Sequence, residues 1–233
     1  MDRTTAKGKD NKGITLLEIL ISVCLLAIVL MPISTALMTA LRINMEARTL
    51  LTATDVAQSL MEDISEKTYD ECLTTVKALE TANKKRAAKE IGFSAIDGDW
   101  FNEHDHVQKV AFPTGVSPVG IATTSLGNNI DLISNNKGLN AKFVEVMKGY
   151  TGAKQLIYSV DPNNLLLYMG YMGVSSKGKT YDVVISFLPV ARTTTDTWYT
   201  YEVFMDVYAY GKGGTRLTGD PTVSLKTGIR ARD

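Results

Sequence analysis

The chain has 233 residues, with 25 Lys and Arg against 25 Asp and Glu, so its formal net charge is zero. A balance of this kind leaves no basic footprint for nucleic acid. The length suffices for one globular domain with its own core, and only two cysteines and two histidines are present.

The first element is a short polar leader, Met1 to Lys12, carrying Arg3, Lys7, Lys9 and Lys12 against Asp2 and Asp10. From Ile14 to Leu41 the only formally charged residue is Glu18, and Arg42 ends the run. That run exceeds the roughly 20 residues an α-helix needs to cross a bilayer. A lone carboxylate within it costs about 2.5–3.5 kcal/mol at the bilayer centre and less near the interface, so Glu18 is a candidate functional residue with a partner to be found. The basic leader predicts an N-in, C-out single span. A cleaved secretory signal is cut after its apolar region; here the natural break, at Lys12-Gly13, precedes it. Topology and charge alone leave an uncleaved signal anchor open, with Glu18 tolerated near the interface.

Gly13-Ile14-Thr15-Leu16-Leu17-Glu18 followed by Ile19 to Leu30 resembles the class III signal of type IV prepilins, shared by pilins, minor pilins and type II secretion or competence pseudopilins. The likeness covers about Lys12 to Pro32 and departs from the usual pattern at Ile14, where the family mostly has phenylalanine. The resemblance implies cleavage by a membrane prepilin peptidase between Gly13 and Ile14, methylation of the new Ile14 terminus, and assembly through an inner-membrane platform into a filament of pilin subunits, homomeric or heteromeric. Before assembly the lipid bilayer holds the helix; afterwards the subunit lies in a cell-surface filament. The new α-amino group would be cationic near neutral pH. Glu18 of an incoming subunit is expected to meet the Ile14 nitrogen of its neighbour, a pair that sets register because a slipped subunit leaves both charges unpaired. Removing 13 of 233 residues leaves 220, longer than most major pilins, which points to a minor pilin or large pseudopilin.

Beyond Arg42, Leu37, Leu41, Met45, Thr52, Val56, Leu60 and Ile64 recur at helical spacing, with Ala53 and Ala57 filling in. One long helix is therefore expected from Ile14 to about Glu66, apolar all round in its first half (14–41, the membrane and filament-core part) and amphipathic in its second. Pro32 removes a hydrogen bond to the Ile28 carbonyl and is expected to kink it. Met31, Met38 and Met45 make an adaptable packing stripe. A second helix is expected from Tyr69 to about Lys89, with Leu73, Val76, Leu79 and Ala82 on one side. Within it the Lys84-Lys85-Arg86 cluster, flanked by Glu80 and Glu90, is read as a solvated face.

The rest, 67–233, is expected to form a globular head. Residues of about 90–150 are irregular, the position of the variable loop region in the family resembled, with short strand-like pieces at Val116–Thr123 and Ile130–Ile133. A short helix is expected from Ala141 to Lys148, N-capped by Asn140. Strands follow over about 155–231: a hairpin of Gln155–Val160 and Leu165–Met172, then Tyr181–Pro189, Thr197–Tyr210 and Val223–Arg230. Alternation in the third places Val183, Ile185 and Phe187 opposite Asp182, Val184 and Ser186. The expected fold class is α+β, a long N-terminal helix packed on a C-terminal antiparallel sheet.

Cys24 and Cys72 cannot bridge within one subunit, since about 48 helical residues separate them by about 70 Å. His104 and His106, flanked by Glu103 and Asp105, could ligate a transition metal, but two histidines alone in a polar loop are usually solvated, and the oxygens of Asp97, Asp99, Asn102 and Glu103 do not reproduce an EF-hand spacing, so neither metal nor cofactor is expected. Nucleophile elbow, phosphate loop and dinucleotide turn are all missing in convincing form, and the glycines at Gly211, Gly213 and Gly214 fit a turn between strands. No enzymatic activity is expected.

Overall fold

The computed structural model describes residues 15–81, 107–111, 137–150, 155–161, 166–191, 198–210, 217 and 219–230. The chain divides into two compact units, Met1–Ala47 and Arg48–Asp233. One helix, α1 (Leu16–Ser65), provides the described part of the first and opens the second. It runs helical without interruption through Pro32, and its bounds lie within two residues of those expected. Ile14 and the leader lie outside the described residues, as does Ala82 onward to residue 106.

After α1 comes α2 (Tyr69–Thr81). Its start is a reciprocal capping box: Glu71 N–H donates to Thr68 Oγ1 at 3.3 Å, and Thr68 N–H donates to Glu71 Oε2 at 2.7 Å. Two otherwise orphaned amides are thereby satisfied. Six strands follow, β1 (Val107–Lys109), β2 (Gln155–Asp161), β3 (Leu166–Ser176), β4 (Lys179–Ala191), β5 (Trp198–Ala209) and β6 (Val223–Arg230), with α3 (Lys137–Lys148) between β1 and β2. They form one sheet in the order β1-β2-β3-β4-β5-β6. Pairings from β2 to β6 are antiparallel; β1 joins β2 in parallel, with Val107 opposite Leu156. The fold class is thus α+β, a long apolar N-terminal helix packed through its second half on a mostly antiparallel sheet.

The two sheet faces have separate cores. On one, Ala53, Val56, Ala57, Leu60 and Ile64 of α1 and Cys72, Val76 and Leu79 of α2 meet Tyr171, Val183, Ile185, Phe187, Val203 and Met205. Tyr69 adds a parallel stack on Tyr201, with centroids 4.1 Å apart. On the other face Phe143, Val144 and Met147 of α3 meet Ile157, Tyr168, Met172, Val184 and Leu188. The expected two layers are therefore three. β3 is buried from Leu166 to Val174 without alternation, and strands apolar on both faces need a cover on each. Gly170 lets α3 approach: a Cβ there would stand 2.5 Å from Met147 Sδ and 3.1 Å from Phe143 Cε1.

One expectation about a polar residue changes. α3 begins at Lys137, so Asn140 lies inside it and is not its N-cap. Its buried side chain instead donates from Nδ2 to Asp206 Oδ2 at 2.6 Å, and Asp206 Oδ1 accepts from Ser224 Oγ at 2.5 Å. On β4, Asp182 and Ser186, placed by alternation opposite Val183, Ile185 and Phe187, are both buried. Asp182 is tolerated because the register shift between Tyr171 and Val174 frees the Gly173 N–H, which donates to Asp182 Oδ1 at 2.8 Å, joined by Tyr210 OH at 2.9 Å.

Candidate functional site

The N-terminal end of α1 starts at Thr15. Its hydroxyl accepts from Glu18 N–H at 3.3 Å and its carbonyl from Ile19 N–H at 3.2 Å, the pattern of an N-cap. Thr15-x-x-Glu18 has the same residues as the Thr68-x-x-Glu71 box at α2, a signal present in the sequence that the reading of the prepilin-like motif passed over. The two boxes differ. At α2 the glutamate folds back onto the capping amide, whereas at α1 only the hydroxyl half is made, and among the described residues Glu18's carboxylate has no hydrogen-bond or ion-pair partner. Glu18 thus sits solvent-exposed in the first turn, where the helix dipole favours an acid. Gly13 and Ile14, the expected processing pair, lie outside the described residues.

From Leu16 to Ala47 every α1 side chain is exposed, including Leu20, Leu26, Val29, Ile33, Leu37 and Leu41. Among the described residues α1 is the one helix long and apolar enough to cross a membrane. Its few hydroxyls fold back onto the backbone: Ser22 Oγ donates to the Glu18 carbonyl at 2.8 Å, Thr35 Oγ1 to Pro32 at 2.9 Å, and Thr39 Oγ1 to Thr35 at 2.9 Å. This is how hydroxyl groups are satisfied where water is absent. The segment has the make-up of a membrane anchor. Pro32 adds no break in the helix, and the Thr35 hydroxyl occupies its carbonyl one turn on.

In the second unit α1 is tied to the sheet by polar contacts as well as by its core. Lys177 Nζ reaches Asp55 Oδ2 at 2.6 Å, Lys179 Nζ reaches Thr49 Oγ1 at 2.5 Å, and Ser65 Oγ lies 3.4 Å from Thr227 Oγ1. Both lysines flank the β3–β4 turn, where Lys177 at φ 47° and Gly178 at φ 75° give the mirror-image turn that suits strand twist. No element is expected over residues 173–180, between two strands, and neither the turn at Lys177-Gly178 nor its contact with α1 was read from the sequence.

Both cysteines are free, Cys24 exposed and Cys72 buried. Burial pushes the Cys72 thiol from 9.0 up to about 12, so it stays protonated and unreactive at neutral pH. The residues weighed as metal ligands (Asp97, Asp99, Asn102, Glu103, His104, Asp105 and His106) and the Lys84-Lys85-Arg86 cluster lie outside the described residues. Among the described residues no group of three or more metal-ligating side chains occurs. Tyr158 OH bonds the Glu80 carboxylate across β2 and α2, and burial with that bond raises its pKa, a structural rather than a reactive arrangement. No family model, curated protein or solved structure matches the chain.

Proposed function

We propose that the chain is a type IV pilin-like subunit, cut by a prepilin peptidase between Gly13 and Ile14 and assembled through α1 into a filament at the cell surface, in the role of a minor pilin or of a secretion or competence pseudopilin. The observation that carries this reading is Glu18. It stands in the first turn of α1, within a stretch that is exposed and otherwise uncharged up to Leu41, at the fifth position after the expected cut, and its capping box is left half made. A carboxylate there with no partner among the described residues is available to a cation from outside its own helix. Cleavage would create one at Ile14 of a neighbouring subunit, and a buried pair of this kind resists slippage by leaving both charges uncompensated when out of register. In the membrane before assembly the subunit would lie N-in, C-out. No catalytic, cofactor or metal role is part of this reading.

A second reading is an uncleaved single-pass anchor carrying an extracytoplasmic binding domain. The placement of Glu18 in the first turn favours it too, because an acid near the interface at a helix N-terminus is tolerated without any partner. Mass spectrometry of the exported protein separates the two. A mature terminus at Ile14 is expected; an intact Met1 terminus removes the filament reading and leaves the anchor. Glu18→Ala should then keep membrane insertion while lowering incorporation into filaments.

A further inference from the structure

The two edges of the sheet are finished differently. β1 is three residues long, and its brevity makes it a poor template for another strand. β6 runs for eight residues and pairs only with β5 among the described residues. It keeps one register from Arg230 opposite Thr200 to Val223 opposite Val207, with neither bulge nor proline. Its side chains do not guard its outer edge. Ser224 Oγ turns inward to Asp206 Oδ1 at 2.5 Å, and the Lys226 ammonium is drawn back over β5, 2.8 Å from Glu202 Oε1 and 5.1 Å from the centre of the Phe204 ring. A lysine on an edge strand ordinarily discourages pairing with another chain; this one is engaged elsewhere. Gly228 is exposed, and since it has no side chain, what it exposes is backbone. On the α1 side Val223 and Leu225 are half-buried at the margin of the core. Arg230, at the end of the strand, is exposed and has neither hydrogen bond nor ion pair.

We propose that the outer edge of β6 takes up an extended segment of a partner protein as a seventh strand, antiparallel to β6, with a carboxylate side chain opposite Arg230. The inference concerns the globular unit alone and rests on neither the filament nor the anchor reading. Backbone chemistry sets the shape of the occupant. About half the residues of an edge strand turn both N–H and C=O outward, and only another extended chain answers such a row in register. Charge sets its composition. From Val223 to Arg230 the strand holds two cations and no acid, and Glu202 already answers Lys226, so Arg230 is the charge left over. A second copy of β6 would bring the same two cations and no acid, and would leave Arg230 unanswered. Alternation sets the rest. Arg230 lies on the sheet face of Lys226 and Ser224, so the partner's acid belongs on that face, and its intervening residues fall on the α1 side beside Leu225 and Val223. Apolar or β-branched residues there would extend the α1-side core by one strand. The main chain would supply affinity, and the acid would fix direction and register.

The test uses the full chain in detergent micelles and a synthetic peptide of matching length, acetylated and amidated. The peptide carries glutamate at its first position, opposite Arg230, valine opposite Leu225 and Val223, and threonine elsewhere. Amide hydrogen exchange is followed across β6 as peptide is added. Exchange should slow at alternate residues of β6 and saturate. The glutamate peptide should bind about two- to fivefold more tightly than its glutamine counterpart, the ratio given by one opposite-charge cross-strand pair, and a lysine counterpart should bind more weakly than both. The glutamate peptide with methylated backbone nitrogens should not slow exchange. Arg230→Gln should remove the preference for glutamate over glutamine while leaving the slowing by both, with unchanged exchange within β4 checking that the variant is folded. Comparing the three peptides on the native chain tests the acid preference without any variant. Absence of slowing by the glutamate peptide overturns the proposal, as does equal affinity for the glutamate and lysine peptides. Slowing without peptide that grows with protein concentration also overturns it, and assigns the edge to a second copy of the chain.

Discussion

The two halves of α1 share one helix and opposite surroundings. Up to Ala47 it is exposed on every side. Beyond Arg48 it buries Thr52, Ala53, Val56, Ala57, Leu60, Met61 and Ile64 against the sheet and leaves Glu62 exposed and Asp63 half-buried. Apolar content alone does not separate the halves, since Leu50 and Leu51 sit exposed in the packed half. What separates them is periodicity. A stripe at three- and four-residue steps matches a flat sheet face, while an unbroken apolar surface has no single face to bury and fits only a medium that surrounds it.

The sharpest way to break this contrast is to delete the same side chain in each half. Leu60→Ala should lower the unfolding stability of the globular unit by about 2–5 kcal/mol, because Leu60 is fully buried and its neighbours in the helix–sheet core close the space only in part. Leu26→Ala removes the same atoms from a side chain 58% exposed and should leave the denaturation midpoint in detergent unchanged. Equal losses at the two positions would mean that the first half is packed against protein within one chain.

A second contrast is chemical. All ten tyrosines follow residue 68, so only the globular unit carries them. Desolvation raises the pKa of Tyr158, Tyr168, Tyr171 and Tyr181, takes Tyr208 up to about 12, and takes the Cys72 thiol up to about 12. Each of these acids holds its proton more tightly folded than unfolded. Their contribution is therefore complete below the unfolded values, 9.0 for the thiol and 10.0 for tyrosine, and is lost as pH rises above them. At about 1.4 kcal/mol per pH unit, Cys72 alone should cost roughly 3 kcal/mol between pH 9 and 11. The sheet signal should melt across that window while the helical signal of residues 16–47 persists. Cys72→Ala should flatten the slope between pH 9 and 10, where the thiol titrates before tyrosine; an unaltered slope would remove Cys72 as its source.

Elements set by local pattern were readable in advance. The bounds of α1, the β2–β3 hairpin and β6 at Val223–Arg230 follow from helical spacing, strand alternation and turn residues that act within a few positions. Elements set by distant contacts were not. β1 is three residues, Val-Gln-Lys, and becomes a strand only because β2, 48 residues later, pairs with it in parallel. Asn140 has the residue type of a cap, yet Asp206 on β5 determines what it does. Alternation places Asp182 opposite Val183, Ile185 and Phe187, but the amide that makes its burial tolerable comes from the irregularity at Gly173, which alternation does not reveal. At the candidate site, Glu18 and the expected cut were legible, whereas the half-made capping box needed the comparison with Thr68 and Glu71 in three dimensions.

The third layer yields the mildest effect and a test of how closely it is fitted. α3 reaches β3 at Gly170, and a methyl group there would overlap Met147 Sδ, with Phe143 close behind. Met147 is fully buried, so its flexible end has little room to move aside. Gly170→Ala should therefore cost about 1–3 kcal/mol by overpacking. Gly228→Ala on β6 is the control: its nearest neighbour would be the Tyr201 carbonyl oxygen at 3.9 Å, an ordinary contact, and the change should be close to neutral. Met147→Ala alone opens a cavity, but in the double variant the new methyl group occupies part of it. The two losses should consequently sum to more than the loss in the double variant by about 1 kcal/mol or more, a coupling that only direct contact produces. Strict additivity would show that α3 does not rest on Gly170 and that the second sheet face is covered by some other packing.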